Sequence, residues 1–166
     1  MLLPYLVPTT MEYREAVESD IPEMARLRAA EDAEYGSGEE ALRRRMMGYF
    51  QQKHHPQHAL MPRALYVGRD EEALAGYVAG HLSRRFNSDG ELQWIYVAPK
   101  YRGANVAAKL LHLVATWFAE HHAKRVCVDV APSNTRARIF YERHGARVLA
   151  PSWMLWDDIR DLVKTT

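Results

Sequence analysis

The chain has 166 residues, most simply one domain and long enough for a real hydrophobic core. Charged residues make up 26% and apolar residues 48%, a balance that points away from both the disordered and the membrane classes. The 22 basic and 21 acidic side chains nearly cancel, which argues against a general nucleic-acid binder.

The opening stretch, MLLPYLVPTT, is apolar but lacks a basic n-region and carries Pro4 and Pro8. It reads as a flexible leader or an added strand (residues 1–10) ahead of a single domain over residues 11–166, with Met11 an alternative start. Residues 12–17 then read as a short strand. Ser19-Asp20-Ile21-Pro22-Glu23 supplies a capping residue and an early proline, so a helix is expected over residues 22–33, stopped by Gly36-Ser37-Gly38. A second helix is expected over 39–52 and an aperiodic loop with two prolines over 53–63. Residues 64–69 and 75–84 look like an antiparallel strand pair turning at Asp70-Glu71-Glu72. Asn87-Ser88-Asp89-Gly90 is a turn that leads into a strand over 91–97. The strongest helical period follows. Val106, Leu110, Leu113 and Trp117, with Ala107, Leu111, Val114 and Phe118, form a wide apolar stripe that belongs against a sheet. A buried strand over 125–130, a helix over 134–144 ended by Gly145, and a closing strand over 147–156 complete the order βααβββαβαβ.

The segment from Glu91 to Ala107, ELQWIYVAPKYRGANVA, carries the most chemistry. A strand runs into Pro99, and a short basic loop opens directly onto the amphipathic helix. The first amides of a helix have no intrahelical partner, and the macrodipole adds partial positive charge there. Small residues let the backbone approach a phosphate closely, so a phosphate-bearing cofactor is indicated.

These residues resemble the GNAT superfamily of N-acetyltransferases. The family's cofactor loop, Arg/Gln-x-x-Gly-x-Gly/Ala after a strand ending in Val-x-Pro, corresponds to Val97-Ala98-Pro99 and Arg102-Gly103-Ala104-Asn105-Val106-Ala107. Its second motif, Asn-x-x-Ala-x-x-hydrophobic-Tyr-x-x-x-Gly, is matched by Asn134, Ala137, Phe140, Tyr141 and Gly145. The resemblance spans residues 13–156. It implies an α/β fold with a mixed, largely antiparallel sheet whose central strands splay to form the cofactor cleft. Asn105 stands where the family usually has Gly. If the amide there must approach a pyrophosphate, a Cβ could obstruct it; if only a left-handed backbone is required, Asn is the best-tolerated substitute.

The resemblance further implies acetyl-coenzyme A as cosubstrate, with no metal, and transfer of its acetyl group to a primary amine by direct attack through a tetrahedral intermediate. Backbone amides of Arg102, Gly103, Ala104, Asn105, Val106 and Ala107 would hold the pyrophosphate. The strand Ile95, Tyr96, Val97 would pair with the pantetheine arm, which Asn134 would also meet. Lys100, Arg102, Arg138 and Arg143 could add longer-range attraction, or be solvated surface charges. Tyr141 matches the family's tyrosine and is the expected general acid for the departing thiolate, its other reading being a buried ring packed on the sheet. Amides near residues 95–97 could polarise the thioester carbonyl.

The base is sought among strand carboxylates. Glu91 opens the strand that feeds the loop, and Asp129 on the adjacent strand competes with it. Alternation places Glu91, Gln93, Ile95 and Val97 on one face, and Leu92, Trp94 and Tyr96 on the other. Cys127 is the lone cysteine, so an internal disulfide is impossible and a reducing, cytoplasmic setting is expected; on a buried strand it reads as inert packing. His54-His55-x-x-His58 and His121-His122 read as exposed loop or helix-end residues rather than metal ligands, and Arg43-Arg44-Arg45 as a solvated helix face. Glu31-Asp32-x-Glu34 with Tyr35 could suit a cationic amine. The acceptor, whether small molecule or peptide N-terminus, is not specified. Neither nucleic acid nor membrane is expected as a partner, and a homodimer is left open. A non-catalytic acyl-coenzyme A sensor is the alternative of a different class.

Overall fold

The computed structural model describes residues 10–31, 38–53, 59–71 and 73–164. Seven strands form one sheet in the order β1-β2-β3-β4-β5-β7-β6. They are β1 Glu12–Glu15, β2 Ala59–Arg69, β3 Leu74–Ser83, β4 Gly90–Val97, β5 Val126–Asp129, β6 Arg147–Ala150 and β7 Trp153–Trp156. Every neighbouring pair is antiparallel except β4 and β5, which are parallel because α3 (Val106–Glu120) crosses between them. The expected mixed, largely antiparallel α/β sheet is therefore present.

Two apolar layers sandwich the sheet. On one face α3 buries Val106, Leu110, Leu111, Val114 and Phe118 with Leu92 and Val128, and Tyr141 of α4 (Thr135–Arg143) joins them. On the other, α1 (Ile21–Glu31) and α2 (Glu39–Phe50) bury Ile21, Met24, Met46 and Tyr49 against Tyr77, Ala79 and Tyr96. The Phe118 ring sits where two glycines leave space: a Cβ on Gly80 or Gly90 would meet it at 2.8 or 2.5 Å. Close packing at that density leaves no room for either substitution.

Three expectations are corrected. The loop over 53–63 is shorter than expected, because β2 already begins at Ala59; Pro62 lies at the register shift between Leu60 and Arg63, a place where a strand tolerates proline. His54, His55 and His58 lie outside the described residues, as do residues 1–9, Gly36 and Ser37. The single closing strand over 147–156 is a hairpin, β6 and β7, broken by Pro151-Ser152, and β7 inserts between β5 and β6. A last turn of helix, α5 (Asp161–Lys164), was not expected.

The third correction bears on the site. Across β3 and β4, Ala79 pairs with Trp94 but Gly80 pairs with Leu92, so Gln93 is an extra, bulged residue. The bulge reverses the alternation before it. Glu91 therefore shares the α1/α2 face with Trp94 and Tyr96, while Leu92 joins Ile95 and Val97 on the α3 face.

Candidate active site

β4 and β5 pair over only three positions, Gly90–Val126, Glu91–Cys127 and Leu92–Val128. Beyond them, residues 93–97 of β4 have no strand partner on the β5 side, so the sheet opens into a gap. The loop at the end of β4 is built for an anion. Ala98 is anchored by its amide on the Ala75 carbonyl at 2.8 Å, and a single 3-10 turn follows over Pro99–Tyr101. Gly103 (φ +83°) and Asn105 (φ +64°) then take left-handed backbone, and α3 begins. The first helical amide to close is that of Lys109, on the Asn105 carbonyl at 3.2 Å. The amides of Gly103 and of residues 105–108 have no acceptor among the described residues.

Asn105 is exposed and its side chain makes no cap hydrogen bond, so its place is explained by the backbone angle. The Arg102 side chain points away from the loop amides: Nε donates to the Val97 carbonyl at 3.1 Å, and the guanidinium pairs with Glu31 at the end of α1. Burial would raise the Glu31 carboxyl, but hydrogen bonds from Arg102 and Tyr96 and the charges of Arg102 and Arg28 outweigh it and hold it below its usual range. The Tyr101 hydroxyl donates to the Asp70 carboxylate, tying the loop to the β2–β3 turn. Lys100 is exposed and lies 5.5 Å from the Tyr101 ring centre; Arg138 donates to the Pro151 carbonyl at 3.0 Å, and Arg143 is exposed.

Two further residues stand on α4. Asn134 is its N-cap, with Oδ1 accepting the Ala137 amide at 3.2 Å, which leaves the side-chain NH2 for other partners. Tyr141 is 5% exposed, with its ring against Phe140 and Trp156 and its hydroxyl without a protein partner among the described residues. Burial pushes its acidity well down, slightly opposed by Arg28, so the hydroxyl keeps its proton.

On the α1/α2 face, Glu91 is 6% exposed. Its Oε2 lies 3.4 Å from Nε2 of His81 and 3.4 Å from Nε of Arg85. His81 Nδ1 lies 3.2 Å from the Tyr49 hydroxyl, which donates to the Gly80 carbonyl at 2.8 Å. The Arg85 guanidinium covers the Trp153 ring at 4.6 Å, with Phe86 against the same ring, and the Tyr49 ring meets Trp94 at a tilt of 52°. Asp129 is exposed; partial desolvation raises its carboxyl, the Glu91 charge adds to this and Arg85 opposes it. Cys127 is buried, and that burial pushes its thiol up to about 11, so it is inert as expected.

The profile of the acetyltransferase (GNAT) family matches residues 24–146. The chain belongs to this family. Two mycobacterial relatives, from Mycobacterium bovis and Mycobacterium tuberculosis and both named only as uncharacterized N-acetyltransferases, are 35% identical over 86 residues. That match covers 52% of this chain and 54% of theirs, so the chain spans about half the length of the curated relatives it matches. A Pyrococcus horikoshii crystal structure shares the fold at a TM-score of 0.72 and 16% identity, over 89% of this chain and 98% of that one. The PaiA N-acetyltransferase of Thermoplasma acidophilum, solved in complex with coenzyme A, does so at 0.66 and 15%, again over 89% and 98%. Identities this low show a common fold alone.

Within this GNAT fold, the loop residues 102–107 follow the open β4 edge at Ile95–Val97 in the chain, and Asn134 caps and Tyr141 lies on α4, the helix that follows β5. Glu91 stands at the closed end of the gap, on the face opposite α3. Sequence reasoning missed His81, Tyr49 and Arg85, which surround it. A lone histidine within the apolar run LAGYVAGHLS was the available signal, but only the β3–β4 register places it opposite Glu91. Among the described residues, no group of three or more His, Cys, Asp and Glu side chains is placed to hold a metal, and no helix is long and apolar enough to cross a membrane.

Proposed function

We propose that this GNAT-family chain transfers an acetyl group from acetyl-coenzyme A to a primary amine. The observation that carries the reading is the set of unpaired amides at Gly103 and residues 105–108, at the mouth of α3 and beside the opened β4 edge. Such a concave row of donors at a helix N-terminus suits a pyrophosphate. The unpaired edge of residues 93–97 suits an amide-bearing arm through strand-like hydrogen bonds, which the Asn134 NH2 can join. The Arg102 contact on the Val97 carbonyl must yield for that edge to be used in full.

Bound acetyl-coenzyme A supplies an activated thioester carbonyl. The residues of the chain then manage protons and charge. An alkyl amine is an ammonium at neutral pH and must lose a proton before it can attack. Glu91 takes that role, because its Oε1 has no partner among the described residues, whereas Oε2 lies 3.4 Å from His81 and 3.4 Å from Arg85. Asp129, exposed on β5, helps draw a cationic amine toward the same region. Tyr141 donates a proton to the leaving thiolate; its burial keeps it protonated throughout the physiological range. Backbone amides of the unpaired β4 edge polarise the carbonyl.

Thiol release from acetyl-coenzyme A should be followed with an alkyl diamine, an aromatic alkylamine and a peptide with a free N-terminus, beside calorimetric binding without amine. Amine-dependent thiol release with an acetylated product is expected. Binding without turnover across the panel would contradict the reading and favour an acyl-coenzyme A sensor.

A further inference from the structure

Within the largely apolar β3, whose other polar side chains are Tyr77 and Ser83, His81 is fully buried and has no proton role in the proposed chemistry. Its neighbours fix where hydrogens can lie. Of the two contacts of the Tyr49 hydroxyl, that to the Gly80 carbonyl is the shorter, at 2.8 Å against 3.2 Å to His81, and the carbonyl can only accept, so the hydroxyl hydrogen is assigned to it. The Tyr49 oxygen then accepts, and its donor is Nδ1 of His81 at 3.2 Å. A neutral imidazole has one hydrogen, and that bond leaves Nε2 bare. Yet Nε2 faces Oε2 of Glu91 at 3.4 Å, too close for a bridging water, and has no other partner among the described residues. Two bare acceptors facing each other in a buried strand pair are costly.

One further proton resolves the conflict. We infer that His81 holds it on Nε2 and, locked in orientation by Tyr49, is the positioning residue that presents Glu91 as the base. The inference rests on the reading of Glu91 as base. The Nε2 hydrogen claims Oε2 and leaves Oε1 for the acceptor. An N–H bond of the acceptor ammonium breaks, its proton goes to Oε1, and the electron pair stays on nitrogen for the attack; the His81 proton does not move. Surrounding groups favour this division. Arg85, 3.4 Å from Oε2, gives that oxygen a second donor and so leaves Oε1 open, and Asp129 on β5 is a further acidic group whose charge interacts with Glu91. Arg63, 4.9 Å over the Tyr49 ring on α2, opposes the cation from farther away, and Cys127 and Tyr49 are held uncharged by burial.

The test combines nitrogen chemical shifts of 15N-histidine-labelled protein with kinetics on the amine turned over above. At pH 7, His81 should be protonated on both nitrogens. In Glu91→Gln, whose amide can donate to a bare Nε2, it should become singly protonated and the rate should fall ~10²–10⁴-fold. His81→Leu should lower kcat ~10²-fold through a misplaced carboxylate, with KM for acetyl-coenzyme A unchanged. His81→Gln, which keeps a donor, should restore most of the rate and lack the alkaline decline that wild type shows as Nε2 loses its proton. If His81→Leu does not fold, Tyr49→Phe serves: its imidazole, freed from donating through Nδ1, should stay protonated on Nε2 when neutral. A wild-type His81 with bare Nε2 at pH 7, beside a slow Glu91→Gln, overturns the role of His81 alone. Wild-type turnover in Glu91→Gln overturns the base and this role with it.

Discussion

Asn105 separates two demands that the sequence leaves entangled. Its φ of +64° is left-handed and its exposed side chain makes no cap bond, which supports the reading that the position requires a left-handed backbone rather than a missing Cβ. Asn105→Gly should therefore keep acetyl-coenzyme A affinity within about 1 kcal/mol, whereas Asn105→Val should cost about 1–2 kcal/mol of stability or binding. Calorimetry on both variants checks this; a loss of binding in Asn105→Gly would mean that the side chain itself touches the cofactor. Tyr141→Phe keeps the ring packed between Phe140 and Trp156 and removes only the hydroxyl. Its rate should fall ~10²–10⁴-fold while coenzyme affinity holds. Because burial raises this group, its proton is retained as pH rises, and Tyr141 should cause no alkaline decline below pH ~10. The pH profile of single-turnover rates reads this directly. The loop that opens α3 was legible as a loop because a contiguous motif carries it. The partners of Glu91 were not, since Tyr49, His81 and Arg85 come from α2, β3 and the turn after it, and only packing joins them.

Among elements, the helix α3 and the β2–β3 hairpin follow from period and turn residues alone. The Gln93 bulge does not, because an extra residue leaves the same apolar letters in the sequence while reversing the face of Glu91. The split of β6 from β7 was signalled by Pro151 and overridden by the apolar run around it. Asp20 ties three elements together at the start of α1. Its carboxylate accepts two bonds from Arg14 of β1 at 2.7 and 3.0 Å, one from the Val17 amide at 2.8 Å and one from Arg69 of β2 at 3.3 Å. Burial alone would raise this carboxyl; the Arg14 and Val17 bonds and the two arginine charges hold it below the usual range. Its stabilisation is therefore complete above the unfolded value of ~3.9 and is lost as pH falls through the lower folded value. Asp20→Asn should cost about 1–3 kcal/mol at pH 7, discounted for the partly exposed arginines, and the deficit should shrink below pH ~4. Denaturant melts of the two proteins at pH 7 and at acid pH measure it; an equal deficit at both would assign the effect to packing.

At the scale of the whole molecule, β1 and β6 are the margins of the sheet, and among the described residues the β5 side of β4 over residues 93–97 is an opened edge in its interior, followed by a loop whose amides at Gly103 and residues 105–108 are unpaired. The order of elements did not by itself predict this opening; it was the resemblance to the GNAT family that implied splayed central strands. Acetyl-coenzyme A at one hundred times its dissociation constant should stabilise the native protein by ~2.7 kcal/mol. The most direct test of the cleft is a calorimetric titration of acetyl-coenzyme A into wild type and Gly103→Val. Gly103 sits at φ +83° with nothing near its Cβ position, so valine fails there through backbone strain in the loop rather than through a clash in the core. Wild type should bind one equivalent, and Gly103→Val should bind markedly more weakly with its fold intact by circular dichroism. Equal affinity in the two proteins would place the phosphates elsewhere and contradict the account.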